Sequence, residues 1–140
     1  MSSTVDLNRF KSAQSDVYPQ VVRELKAGRK QSHWIWFIFP QIEGLGTSLM
    51  NDRYAVRSLE EARAYLADPL LYDHLVECCD LLLAHSSQPI DRIMGYPDNL
   101  KLKSSMTLFK LADPEDPIFQ EVLDAFYGGN EDQLTLELLQ

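Results

Sequence analysis

Ser32-His33-Trp34-Ile35-Trp36-Phe37-Ile38-Phe39-Pro40-Gln41, followed by Gly44-Leu45-Gly46, is the stretch on which the fold turns. It holds both tryptophans of the chain, with Phe37 and Phe39 beside them. Aromatic side chains bury large areas and dominate the cores they enter. Packed this closely, they belong either at the centre of a small domain or on a face that a partner covers. Trp34 to Phe39 is apolar throughout, so periodicity does not separate a buried strand from a buried helix. The β-branched and aromatic content favours a strand. The run is far short of the ~20 apolar residues needed to span a membrane. Pro40 closes it and pushes Phe39 out of the helical region. Gly44 and Gly46 then permit a tight turn.

His33 and Gln41 bracket the block with one polar group at each end. As functional residues they would face a pocket floored by the aromatics. As structural ones, His33 caps a helix or bonds a carbonyl, and Gln41 belongs to a loop.

A chain of 140 residues is expected to form one domain, 1–140, able to bury a real core. A hydrophobic content of 45% argues against disorder. The first residues are polar and lack the apolar core of a signal peptide, and no transmembrane run follows, so a cytoplasmic location is expected. Cys78 and Cys79 are adjacent and ill placed to pair with each other, which points to reduced thiols. The net charge of −8 is uneven, because every charged residue after Lys110 is acidic. That disfavours nucleic acid, which needs a basic footprint. Arg23, Lys26, Arg29 and Lys30 do form a local basic cluster, most simply a solvated helix end whose cations suit the C-terminal dipole.

Around the block, helical signals repeat. Asp6 reads as a cap before Leu7, Phe10 and Ala13, and Tyr18, Val21, Val22 and Leu25 continue an apolar face to Gly28. This segment is one helix broken near Asp16, or two. A loop is expected from Gln41 to about Asp52. Ser58 and Glu61 form a capping box. Asp68-Pro69 starts a long amphipathic helix carrying Leu71, Leu75, Cys79 and Leu82. Ile90–Met94 is a short apolar turn. Pro97-Asp98 opens a helix to about Leu111. Asp116-Pro117 opens another, stopped by Gly128-Gly129, and Asn130 caps a last one. The whole predicts an all-α bundle of about six to eight helices.

A second polar concentration lies on the Asp98 helix. Asp98, Lys101 and Ser105 share a face at spacings of three and four, with Ser104 and Thr107 on a neighbouring stripe. A lysine and hydroxyls near a helix start can cradle an anion. The alternative is a solvent-facing helix with a local Asp98–Lys101 pair. His74 and Cys78 share a helix face but amount to two ligands, too few for a metal site. No nucleophile elbow, P-loop or dinucleotide fingerprint is present, and no cofactor is expected.

The aromatic motif, with Gly44-Leu45-Gly46 and Ser48, resembles the signature of the domain-of-unknown-function 1810 family, a bacterial family sometimes labelled calpastatin. The resemblance extends through Arg9-Phe10, Leu59 to Leu66, Pro97-Asp98, Lys101, Ser104 to Phe109, Asp132 and Thr135-Leu136. It implies a small, mostly helical fold, with Trp34–Phe39 helical. It supplies no activity. The chain departs from the pattern at Pro19 and Tyr72, where a non-proline residue and a glycine are expected. A calpastatin is disordered and repetitive, which this apolar, aromatic chain is not.

Two functional readings compete. The first is a pocket for a small anionic or nucleotide-like ligand, with or without turnover, built from His33, Trp34, Trp36, Gln41, Asp98, Lys101, Ser104, Ser105 and Thr107. The second is a non-catalytic protein-interaction module that uses the exposed aromatic block or the acidic C-terminal helices.

Overall fold

A computed structural model describes residues 6–140. Among them lie nine helices: α1 (Asn8–Lys26), α2 (Ile35–Ile38), α3 (Leu49–Tyr54), α4 (Leu59–Ala67), α5 (Pro69–Leu83), α6 (Ile90–Met94), α7 (Asp98–Ala112), α8 (Ile118–Tyr127) and α9 (Gln133–Leu138). The fold is all-α, and the described residues hold no strand. One isolated parallel bridge, Ile42 to Val56, is their extended pairing.

α1 is continuous through Asp16 and carries Pro19 within it. Its end follows from Gly28, which takes φ +73°. Gly28 N–H donates to Leu25 O and Arg29 N–H to Glu24 O, both at 3.0 Å, the paired bonds of a Schellman turn. Asp6 supports the start by accepting Asn8 N–H at 3.0 Å.

The aromatic block is helical, but only for the single turn of α2. Phe39 leaves it at φ −125°, ψ 72° because Pro40 follows. Burial of Trp34, Ile35, Phe37, Ile38 and Phe39 in the core outweighs the strand preference of the residues. The loop expected from Gln41 to Asp52 gives way to α3, because the Ser48 side chain accepts Asn51 N–H at 3.1 Å and caps a helix.

Ser58 caps α4 as expected, accepting Glu61 N–H at 3.1 Å. Glu61 reaches back to Arg57 N–H at 3.2 Å and pairs with Arg9 at 2.6 Å, joining α1 to α4. Asp68 caps α5 through Leu70 and Leu71 N–H. α9 is capped by Asp132, which accepts Thr135 N–H at 3.1 Å. Asn130, the expected cap, instead donates to Tyr127 O and closes α8.

α7 is the central helix and packs against α8, α4, α9, α6 and α2, while α1 packs on α5 and α2. An aromatic chain threads the core. Phe37, Tyr54, Phe10, Tyr65, Phe109 and Phe119 meet in sequence with ring centroids 5.1–6.2 Å apart. Edge and tilted contacts at such spacing each add roughly 0.5–1.5 kcal/mol beyond burial. Tyr72, one of the departures from the family pattern, donates to Asp116 Oδ2 at 2.6 Å and ties α5 to the start of α8. That bond, with burial, pushes its hydroxyl up to about 12.

Candidate functional site

Two polar residues sit on the apolar face of α1. Glu24 follows Val21 by one helical repeat and is only 4% exposed. Its carboxylate accepts Trp34 Nε1–H at 2.9 Å, Gln31 N–H at 2.8 Å, Ser32 N–H at 2.9 Å, Ser32 Oγ–H at 2.5 Å and Gln20 Nε2–H at 2.7 Å. Burial by itself would raise this carboxyl. The donors from Ser32, Gln20 and Gln31 outweigh it and hold the group at about 2. Glu24 thus fastens the entry of the aromatic block. Gln14 fastens its exit: Nε2 donates to Phe37 O at 2.7 Å and to Tyr65 Oη at 3.1 Å.

The Schellman turn brings Lys30 back against α6, where its N–H donates to Ile93 O at 2.7 Å. Its side chain is nearly buried, with Nζ 2.6 Å from Asp98 Oδ2. The same Nζ donates to Ser32 O at 2.5 Å and lies 4.9 Å from the Trp34 ring centroid. Asp98 opens α7, where a carboxylate suits the helix dipole. One turn on, Lys101 Nζ is 3.9 Å from Asp98 Oδ1 and 5.0 Å from the Trp36 ring centroid. Each indole therefore has an ammonium over it. Lys30 is the close partner that neutralises Asp98. Lys101 is held loosely and keeps its charge beside half-buried Trp36.

Trp34, Trp36, Asp98 and Lys101 meet in this cluster. His33 is exposed at its rim, between Ser32 and Trp34. Gln41 lies on the other side of Trp36, its carbonyl accepting Val56 N–H at 2.8 Å. Trp36 and Gln41 line a shallow cleft of about 20 Å³ with Glu43, Gly46, Asn51 and Asp52. Gly46 leaves room for Asn51, since a Cβ there would fall 1.9 Å from Asn51 Nδ2 and force that side chain aside.

The three hydroxyls lie deeper. Ser104, Ser105 and Thr107 are buried in the central helix, which is not the solvent-facing helix of the alternative reading. Ser104 Oγ donates to Leu100 O at 3.2 Å. Thr107 Oγ1 donates to Lys103 O at 2.9 Å and accepts Asp132 N–H at 2.8 Å. Ser105 Oγ is buried with no partner among the described residues.

Sequence reasoning missed Glu24, Gln14 and the role of Lys30. The signal for the first two was a polar residue on an apolar helical stripe. Lys30 belongs to this cluster, not to a solvated helix end, because the turn after Gly28 points it inward.

Other reactive groups are shielded. Burial pushes the Cys78 thiol up to about 12 and raises Cys79 well above the ordinary thiol value, so neither is an activated nucleophile. His74 Nδ1 bonds Gln14 Oε1 at 2.7 Å and its ring stacks on Tyr18 at 3.6 Å. The described residues contain no group of three metal-ligating side chains. None of their helices is long and apolar enough to cross a membrane.

The chain belongs to the DUF1810 family, described as proteins of unknown function, whose model matches residues 4–139. It is similar in structure to the conserved hypothetical protein Rv1873 from Mycobacterium tuberculosis, known from a crystal structure. The two share 50% sequence identity over 96% of each chain, with a TM-score of 0.94. No curated protein matches the sequence.

Proposed function

We propose that this protein binds a small anionic or nucleotide-like ligand beside Trp36. The observation that carries the reading is the lysine arrangement. Lys30 and Asp98 form a tight, nearly neutral pair, which leaves Lys101 as a charge in excess over an accessible indole. A phosphate or carboxylate at Lys101 would gain from that charge, and a planar ring could lie against Trp36. His33 adds a hydrogen-bonding group at the rim, and Gln41 adds an amide across the indole. Trp34 and Asp98 act from behind, by positioning. Ser104, Ser105 and Thr107 enter as supports of α7, since their burial keeps them from direct contact. Buried reduced thiols fit a cytoplasmic setting.

The interaction-module reading finds less support. Trp34, Phe37 and Phe39 are buried and only Trp36 is partly open, so the aromatic block offers no broad apolar face. Its other form rests on the C-terminal helices, where Leu134 and Leu138 are exposed one turn apart.

The test is a thermal-shift screen against nucleotides, sugar phosphates and other anionic metabolites, repeated on Lys101→Ala. A ligand of the native state must raise its apparent stability. The reading expects a stabilising compound whose effect disappears in the variant. A panel with no such compound would turn attention to the C-terminal helices and a protein partner.

A further inference from the structure

The basic cluster before the aromatic block is divided by the turn at Gly28. Lys30 goes inward to Asp98. Arg29 goes outward, and the backbone bond from Lys30 N to Ile93 O sets residues 29–30 beside 92–93. Arg29 and Arg92 consequently line one open groove of about 410 Å³ with Gln88, Ala27 and Gly28. No carboxylate lines it. Arg9 and Arg57 pair with glutamates, but neither Arg29 nor Arg92 forms an ion pair among the described residues. Asp91, next to Arg92, instead accepts Asn99 Nδ2–H at 2.7 Å.

The turn beside the groove is also held in place. His85 Nε2 lies 2.9 Å from Lys26 O, a carbonyl that can only accept, so this nitrogen carries the proton. Nδ1 of the same ring lies 3.5 Å from Gln88 Nε2. A Cβ on Gly28 would meet His85 Nδ1 at 3.0 Å and Gln88 Nε2 at 3.3 Å. The bare backbone of Gly28 thus leaves room for His85 and Gln88, and Gln88 lines the groove beside the two arginines.

We propose that this groove is a second anion site, separate from the Trp36 cluster, for a small molecule bearing a phosphate or pyrophosphate group. Guanidinium groups present planar forks that match phosphate oxygens in bidentate fashion. Two of them without carboxylate partners, on a protein of net charge −8, concentrate positive potential locally. The same net charge opposes a long polyanion.

The experiment is calorimetric titration with inorganic pyrophosphate, and in parallel with inorganic phosphate, at ~0.15 M salt, where loose surface attraction is screened. It is run on the native protein, Lys101→Ala, Arg29→Gln, Arg92→Gln and Arg92→Lys. Both arginines are exposed, so the variants should keep the native melting temperature, which is measured alongside. The expected result is saturable 1:1 binding in the native protein and in Lys101→Ala. It should weaken at least tenfold in each glutamine variant and also in Arg92→Lys, which keeps the charge and loses the fork. Absence of saturable binding, or binding that ignores both arginines, overturns the proposal. Binding lost in Lys101→Ala but kept in the arginine variants also overturns it, and assigns the ion to the Trp36 site.

Discussion

The Glu24 carboxylate accepts the Trp34 indole N–H at 2.9 Å inside the protein, and four other donors converge on the same two oxygens. One carboxylate at the end of α1 thereby sets the position of the aromatic block. Removing it strands the buried Trp34 N–H and loosens four part-buried donors, at roughly 1–3 kcal/mol for each one left unsatisfied. Glu24→Ala should therefore cost on the order of 3 kcal/mol or more in denaturant unfolding, with Glu24→Gln intermediate. A loss below about 1 kcal/mol for Glu24→Ala would show that the network is not holding the block.

The same carboxylate makes stability depend on pH. Its folded-state pKa is depressed from 4.5 to about 2. A depressed carboxyl contributes its full stabilisation above the unfolded value and loses it as pH falls through the folded one. Stability should thus decline between about pH 4.5 and pH 2, by roughly 3 kcal/mol from this group. Asp68, lowered despite burial by bonds to Lys11 and the α5 amides, acts in the same direction. Unfolding measured at pH 7, 4 and 3 should show a smaller decline in Glu24→Gln than in the native protein. Equal declines would remove Glu24 from the account.

The hydroxyls of α7 separate support from binding. Ser105 Oγ has no partner, so Ser105→Ala removes an unsatisfied buried group and should leave the melting temperature unchanged or higher. Thr107 Oγ1 takes the Asp132 N–H, so Thr107→Val should cost about 1–2 kcal/mol by freeing the start of α9. Neither variant should alter ligand affinity at Trp36. A binding defect in Ser105→Ala at native stability would instead make that hydroxyl part of the site.

Much of the fold was legible because local chemistry decided it. Ser58, Asp68 and Gly28 do what their types and spacing predict. The aromatic block was not legible from its residues, since strand preference and burial pulled in opposite directions, and only the family resemblance pointed to helix. α3 was hidden inside a polar loop, although Ser48 and Asn51 stood at capping distance. At the candidate site, Trp36 was marked by the aromatic block, and Asp98 and Lys101 by helix spacing. Lys30 and Glu24 were not, because their partners come from distant parts of the chain. The buried state of Ser104, Ser105 and Thr107 was equally out of reach, since small hydroxyls suit both a wet helix face and a tightly packed one.

Gly46 offers a substitution that should act on the cleft more than on the fold. A methyl there would have to push aside the Asn51 side chain, which lines the cleft. Gly46→Ala should cost about 1 kcal/mol or less, while displacing Asn51 across the cleft and weakening any ligand seated against Trp36. Equilibrium unfolding and ligand titration of the same sample check both halves. A large stability loss with unchanged affinity would reverse the assignment.

The most direct test is the dissociation constant of the most stabilising anionic compound from the screen, measured for native protein, Lys101→Ala and Trp36→Phe. The account predicts at least a tenfold weakening in Lys101→Ala, about 1.4 kcal/mol, and a smaller one in Trp36→Phe, with native-like melting temperatures in Lys101→Ala. An affinity that is the same in all three proteins would contradict the placement of the ligand beside Trp36.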